Sequence, residues 1–279
     1  MLTLSVGKSG EEDFFTIQEA LDSIPYEEKA VITVKEGIYR EKLFSDKKDL
    51  VVRGEGKVLI TYSDGAREIL GDGRKRGTFR SYTAFFSGER LVLENLTFQN
   101  SAGSGKDVGQ ALALYLDSDE AYLLRVTLLG HQDTLFLAPL PDEEREKRGF
   151  YGPRFLLERK RRRTVLEACS ISGSVDFIFG GGDAVFRNCE IISLEEGYVT
   201  APSGKRDWEG FLFENCIFTS PSSMVEKVYL MRPWRDEGKA VFSHCTFGPH
   251  IRKEGFSPWP GREDKANLAT FSLEECTFL

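Results

Sequence analysis

Two aspartates stand where a folding chain rarely leaves a carboxylate. Asp133 lies in Gly130-His131-Gln132-Asp133-Thr134-Leu135-Phe136. Asp176 lies in Gly173-Ser174-Val175-Asp176-Phe177-Ile178-Phe179-Gly180. A carboxylate among aromatic and β-branched side chains carries a desolvation cost, so it is kept where something pairs it or uses it. Two of them can act as an acid/base or nucleophile pair if their surroundings separate their pKa values. The plainer reading is two buried turn aspartates bonded to backbone N–H groups. Three more polar residues sit in apolar settings. Gln110 begins Gln110-Ala111-Leu112-Ala113-Leu114, Gln132 precedes Asp133, and Arg232 lies in Leu230-Met231-Arg232-Pro233-Trp234. Two amides, two carboxylates and one guanidinium are a complete set for acyl transfer without Ser or His. One carboxylate attacks a carbonyl, the amide N–H groups hold the oxyanion, and the other carboxylate moves the proton. The arginine pairs bidentately with one carboxylate and aims it.

The elements that must position these groups show as an internal repeat. A phrase of alternating apolar residues, one or two polar residues and a small apolar residue or Cys returns along the chain. Leu91-Val92-Leu93-Glu94-Asn95-Leu96-Thr97-Phe98 and Ala184-Val185-Phe186-Arg187-Asn188-Cys189-Glu190-Ile191 are two instances. Cys169, Cys189, Cys216, Cys245 and Cys276 follow one another at steps of 20, 27, 29 and 31 residues. A period in this range means a solenoid or an array. The local period is two, so the units are strands. Strands stacked about 4.8 Å apart, with turns absorbing the uneven steps, predict an all-β, single-stranded parallel β-helix. A propeller blade needs four strands in roughly 40–45 residues, which these steps do not allow. The phrase runs nearly end to end, so one domain over residues 1–279 is expected. The cysteines share one place in the phrase and should form an interior column of free thiols, because in-register neighbours on parallel strands have poor bridging geometry. Thr16-Ile17-Gln18-Glu19 fits a capping box ahead of Ala20, Leu21 and Ile24, and Pro25 stops the helix. A short N-terminal helix over residues 16–23 should close the first coil.

Composition bounds the remaining possibilities. A net charge of −7 speaks against nucleic acid as a partner, and no apolar run approaches the roughly 20 residues of a membrane span. No signal peptide follows Met1 and the cysteines are expected free. Both point to the cytoplasm, with a mature secreted chain given a new Met as the alternative. Nine basic residues fall between Arg145 and Arg163. They form either a solvated turn or, with Arg159, Lys160 and Arg161 at its centre, a rim that attracts a polyanion and lowers KM for it. Gly103-Ser104-Gly105-Lys106 lacks the spacing of a phosphate loop, and no Gly-x-Ser-x-Gly elbow is present. His131, His244 and His250 have no metal-ligand spacing.

At the polar residues named above the sequence resembles the pectin methylesterase (pectinesterase) family. Gly37-Ile38-Tyr39-Arg40-Glu41, Thr78-Phe79-Arg80-Ser81, Gln110-Ala111-Leu112-Ala113-Leu114, Gln132-Asp133-Thr134-Leu135, Val175-Asp176-Phe177-Ile178-Phe179-Gly180 and Arg232-Pro233-Trp234 match its motifs in order. The resemblance covers nearly the whole chain and implies a right-handed parallel β-helix. It implies Asp176 as the nucleophile on the methyl ester of a galacturonate unit. Asp133 would protonate the departing methanol and then activate water. Gln110 and Gln132 would form the oxyanion hole, and Arg232 would hold Asp176. Thr78, Phe136, Val175, Phe179 and Trp234 would line the sugar subsites. The implied substrate is methyl-esterified homogalacturonan or its oligomers, used by a monomer without a cofactor. There are departures. His131 and Phe136 stand where tyrosine is common, Phe256 replaces a tryptophan, and Met231 replaces the glycine before Arg-Pro-Trp, a change expected to crowd the cleft. The chain also stops where relatives continue.

Two other classes compete. A hydrolase of the polygalacturonan backbone would use two aspartates on a glycosidic bond, and a lyase would need an acidic calcium cluster. A silent pectin-binding solenoid would have no use for both aspartates, both glutamines and the arginine. The sequence offers no cluster of hard oxygen ligands, so activity is expected to survive a chelator. Activity lost on chelation and restored by a divalent ion would contradict this and revive the lyase.

Overall fold

The computed structural model describes all 279 residues and is built almost wholly of parallel strands. They stack in three ladders, each extended by one strand as the chain comes round. Each ladder exists because one side chain per strand repeats the same apolar choice.

In the first ladder Leu4, Ile32, Val52, Leu93, Leu123, Leu166, Phe186, Phe213, Phe242 and Leu273 form a continuous column. The rings of Phe186, Phe213 and Phe242 stack with centroids 4.3 and 4.8 Å apart and planes within 7°. In the second, Ile60, Phe98, Leu128, Ile171, Ile191, Phe218, Phe247 and Phe278 follow one another. These columns meet in one core cluster of 51 buried residues running from Val6 to Ile251.

The turn between the first two ladders explains the repeating phrase. In seven successive coils two residues join the strands, and the first has positive φ: Asn95, Arg125, Ala168, Asn188, Asn215, His244 and Glu275, all between 50° and 55°. In the first six the N–H of this residue donates to the carbonyl just before the matching turn of the next coil, as from Asn95 to Leu124 at 3.1 Å and from Asn188 to Glu214 at 3.0 Å. The left-handed conformation suits Asn and costs the others steric energy, which the continued ladder offsets. The second turn residue points inward. It is Leu96, Val126, then Cys169, Cys189, Cys216 and Cys245, each at most 2% exposed. All five thiols are free, and each lies 3.2–3.5 Å from a carbonyl oxygen of a preceding strand.

Near the N-terminus α1 (Ile17–Ser23) buries Ile17, Ala20 and Leu21, and the Thr16 side chain accepts from the Glu19 N–H. The Glu41 carboxylate accepts from the N–H groups of Ile17 and Gln18 at 3.1 and 3.0 Å. A carboxylate there satisfies orphan donors and complements the helix dipole. No helix is long and apolar enough to cross a membrane.

The second half of the basic stretch is tied down, whereas Lys147 and Arg148 are exposed and form no ion pair. Arg154 and Arg162 both bind Asp117, at 2.5 and 2.8 Å, and Arg162 also pairs with Asp119. Arg161 pairs with buried Asp183 and reaches Glu209 at 3.4 Å. Arg159 donates to the carbonyls of Arg154, Phe155 and Leu157. These cations tie the loop to the strands. The reading that set Arg159 and Arg161 on a substrate rim is therefore corrected, because their charges are already committed.

Candidate active site

The third ladder carries the site. Its strands begin at Leu43, Ala84, Leu114 and Leu135 and continue through Ile178 and Thr200 to Met231. Gln110, Gln132, Asp133 and Arg232 sit just before or after these strands and Asp176 lies at a register shift within one, so stacking brings them together. Three backbone bonds lock the stack: the Ala111 N–H to the Gln132 carbonyl at 3.1 Å, Asp133 to Val175 at 3.0 Å, and Arg232 to Thr200 at 3.0 Å. Gln110, Gln132, Asp133, Asp176 and Arg232 all line one cleft of about 350 Å³.

Asp133 and Asp176 both hold positive φ, 61° and 49°. Non-glycine residues held there carry strain of the kind that collects at functional sites. Arg232 binds Asp176 bidentately, Nε to Oδ1 at 2.7 Å and an Nη to Oδ2 at 2.6 Å. Its guanidinium is sandwiched between the rings of Tyr198 and Trp259, 3.8 and 4.7 Å from their centroids. The sandwich fixes the plane of the fork and leaves it one partner.

Burial raises the pKa of both aspartates. In Asp176 the hydrogen bonds and charge of Arg232 pull it back. Asp133 has no ion pair, and the neighbouring Asp176 charge pushes it further, against a smaller pull from the Arg232 charge and a Gln132 hydrogen bond, to well above the usual carboxylate range. Both carboxyls are raised, but only Asp176 has a guanidinium bonded to it.

The side chains of Gln110 and Gln132 face the same space. Gln132 is held by a contact the sequence did not reveal. A methyl group on Gly105, in the short helix α2 (Gly105–Val108), would lie 2.5 Å from its Oε1 and 2.7 Å from its Cβ. Glycine at 105 is what lets the Gln132 side chain stand where it does.

Of the expected subsite residues, Thr78, Phe179 and Trp234 line the cleft, whereas Phe136 and Val175 do not. Phe136 is fully buried, with Tyr115, Phe79 and Phe179 4.7–4.9 Å away. It belongs to an outward column of Phe44, Phe85, Tyr115, Phe136 and Phe179, and Phe79 roofs that column. Phe136 is thus floor packing. Val175 pairs with Tyr198 along the strand, outside the cleft. Met231 does not crowd the cleft either: it is fully buried in the main core. Arg145, Phe150, Arg235 and Trp259 complete the walls. Arg145, Phe150 and Trp259 sit on loops outside the motifs, and Arg235 directly follows the Arg232-Pro233-Trp234 motif with nothing in the sequence to mark it as a wall residue.

A family model for pectinesterase matches residues 3–151 and 156–277. Among curated proteins, Pectinesterase 31 of Arabidopsis thaliana is 30% identical over 278 residues, covering 95% of this chain and 80% of its own. Among solved structures, the pectin methylesterase from carrot superposes with a TM-score of 0.80 at 27% identity, covering 99% of this chain and 82% of its own. A pectin methylesterase solved in complex with a hexasaccharide superposes with a TM-score of 0.73 at 28% identity, over 92% of this chain and 80% of its own.

Proposed function

The chain belongs to the pectinesterase family, and on that footing we propose that its cleft hydrolyses galacturonate methyl esters through a covalent, two-aspartate route. It is a carboxylic ester hydrolase that demethylates pectin. The observation that carries the route is the contrast between the two carboxyls, one clamped by Arg232 and the other raised and without an ion pair.

Asp176 attacks the ester carbonyl carbon, and the charge moves to the carbonyl oxygen, where the Gln110 and Gln132 amides donate to it. The C–O bond to the methoxy group breaks, the Asp133 proton goes to that oxygen, and methanol leaves. The acyl group is now an anhydride of Asp176. Ionised Asp133 takes a proton from water, the hydroxide attacks, and the anhydride opens. Asp176 returns as a carboxylate beside Arg232, and Asp133 is reprotonated. Thr78, Phe179 and Trp234 hold the sugar rings at the cleft wall.

Further proposals follow from the same features. The three ladders read as one right-handed parallel β-helix, a single domain over residues 1–279 with α1 covering its first coil. The protein is further proposed to act as a monomer on pectin or its oligomers, away from membranes. Five free thiols fit a reducing compartment such as the cytoplasm.

Methanol release from methylated pectin and from short methylated oligogalacturonides tests the activity. New reducing ends or unsaturated products without methanol would point instead to backbone cleavage. Within the mechanism, Gln132→Ala should cost about 10²–10³-fold in kcat. Gly105→Ala should reproduce part of that loss by displacing the Gln132 side chain. Wild-type turnover in both variants would remove Gln132 from the oxyanion site.

A further inference from the structure

Asn100 ends the strand Thr97–Asn100 and is 4% exposed, a buried polar side chain that does not line the cleft. Both ends of its amide are used. Nδ2 donates to the carbonyls of Asp64, Ser81 and Leu112 at 3.0, 2.8 and 3.0 Å, and Oδ1 accepts from the Ala102 N–H at 3.0 Å. An amide NH₂ has only two hydrogens, so one of them is shared between two carbonyls. Asp64 and Ser81 are themselves buried, and their carbonyls accept from no backbone N–H. Without Asn100 both would lose their protein partner, and a buried polar group in that state is costly.

The partners of Asn100 lie on the segments that carry the cleft. Asp64 and Ser81 stand near the two ends of the loop between the strands that end at Tyr62 and begin at Ala84, and this loop presents Thr78 and Phe79 to the cleft. Leu112 closely follows Gln110. Ala102 opens the connection to α2, whose Gly105 makes room for the Gln132 side chain. Further bonds join the same pieces. The Ala66 N–H donates to the Gln110 carbonyl at 2.8 Å, and the Arg67 N–H to the Val108 carbonyl at 3.0 Å. Ser81 Oγ accepts from the Leu112 N–H at 3.2 Å and donates to the Thr78 carbonyl at 2.7 Å. Lys42 clamps the base of the loop, pairing with the Asp64 carboxylate and donating to the Arg80 carbonyl at 2.6 Å. Asn100 is the side chain bonded at once to both ends of the loop, to the Gln110 segment and to the lead into α2.

Resting on the oxyanion role given above to Gln110 and Gln132, we propose that Asn100 is the positioning residue for both amides. Neither glutamine lies in a helix or a strand, so the placement of each depends on bonds of this kind. By fixing the Gln110 segment against the lead into α2, Asn100 sets the separation of the two donors. Such donors lower the barrier only where they stand in place before the charge develops, and a small misplacement is expensive in rate. Asn100 touches no reacting atom and acts through the backbone it ties.

The test is a mutant cycle in the full chain, read as methanol release from a methylated oligogalacturonide well below the melting temperature of each variant. Asn100→Ala should lower kcat by about 10–10²-fold and change KM by less than about threefold, because Phe179 and Trp234 hold the sugar from other segments. In the Gln110→Ala and Gln132→Ala backgrounds the same change should cost at least about threefold less than in wild type, since part of what it displaces is already gone. An equal penalty in all three backgrounds is what a general loss of stability gives, and it would overturn the proposal, as would wild-type kcat in Asn100→Ala. Hydrogen exchange reads the tie without the chemistry. It should rise in peptides covering residues 64–83 and 101–112 of Asn100→Ala and stay as in wild type over residues 211–247. Unchanged exchange in both peptides would also overturn the proposal. If Asn100→Ala does not fold, Asn100→Ser, which keeps one donor, gives the same comparison at smaller amplitude. Wild-type turnover in Gln110→Ala and in Gln132→Ala would refute the oxyanion assignment instead, and raised exchange would still show Asn100 to be the tie between the two segments.

Discussion

Replacing Asp176 by Asn is expected to lower kcat by about 10⁴–10⁶-fold while oligogalacturonide binding persists. The amide cannot attack an ester carbonyl, and what remains is the stabilisation supplied by the oxyanion donors and the bound geometry. The same change should weaken the fold. Arg232 is 15% exposed in its side chain and held between two aromatic rings, with Asp176 as its only carboxylate within ion-pair distance. Leaving one member of a buried pair uncompensated costs about 3–5 kcal/mol, less where the Asn oxygen still accepts a hydrogen bond. Single-turnover methanol release and thermal denaturation read the two effects separately. Turnover within tenfold of wild type would remove Asp176 from the chemistry.

Asp133→Asn should also cripple turnover, by about 10²–10⁴-fold, since it removes the general acid and base. Its effect on stability should have the opposite sign. The folded pKa of Asp133 is raised by burial and by Asp176. A carboxyl raised in this way contributes fully to stability below its unfolded pKa of about 3.9, and that contribution is lost as pH rises through the folded value. At neutral pH a neutral Asn removes this loss. The variant should therefore melt above wild type near pH 7, with the difference closing toward pH 4. A lower melting temperature at pH 7 would mean that the Asp133 anion is stabilised by something the geometry does not contain. In wild type, kcat/KM should rise with pH as Asp176 ionises and fall as Asp133 loses its proton.

The polar constellation was legible in the sequence because each member interrupts an apolar run, and stacking then requires equivalent positions on successive coils to meet. Gln110, Gln132, Asp133, Asp176 and Arg232 share one cleft for that reason. The interior columns were legible from the period of two and the recurring Cys. The positive-φ turns were not. Asn95, Asn188 and Asn215 suit that conformation, but Arg125, Ala168 and His244 adopt it with their N–H groups bonded to the next coil. Phe136 is expected at a subsite from the resemblance alone, and nothing in the sequence shows that Phe79 covers it. The roles of Arg154, Arg159, Arg161 and Arg162 depend on Asp117, Asp119 and Asp183 and on backbone carbonyls, contacts that a run of charge cannot display. Tyr198 and Trp259 reach Arg232 from separate segments, so no spacing announced them.

The central claim is that Asp176 becomes acylated during turnover. Rapid quenching of wild-type enzyme on a methylated oligogalacturonide, followed by peptide mass spectrometry, tests it directly, with hydroxylamine added in a parallel reaction to intercept the anhydride. The account predicts a transient oligogalacturonyl adduct on the peptide bearing Asp176, a hydroxamate product when hydroxylamine is present, and neither in Asp176→Asn. Methanol release at the normal rate with no adduct on that peptide and no hydroxamate, or an adduct on Asp133 instead, would contradict it.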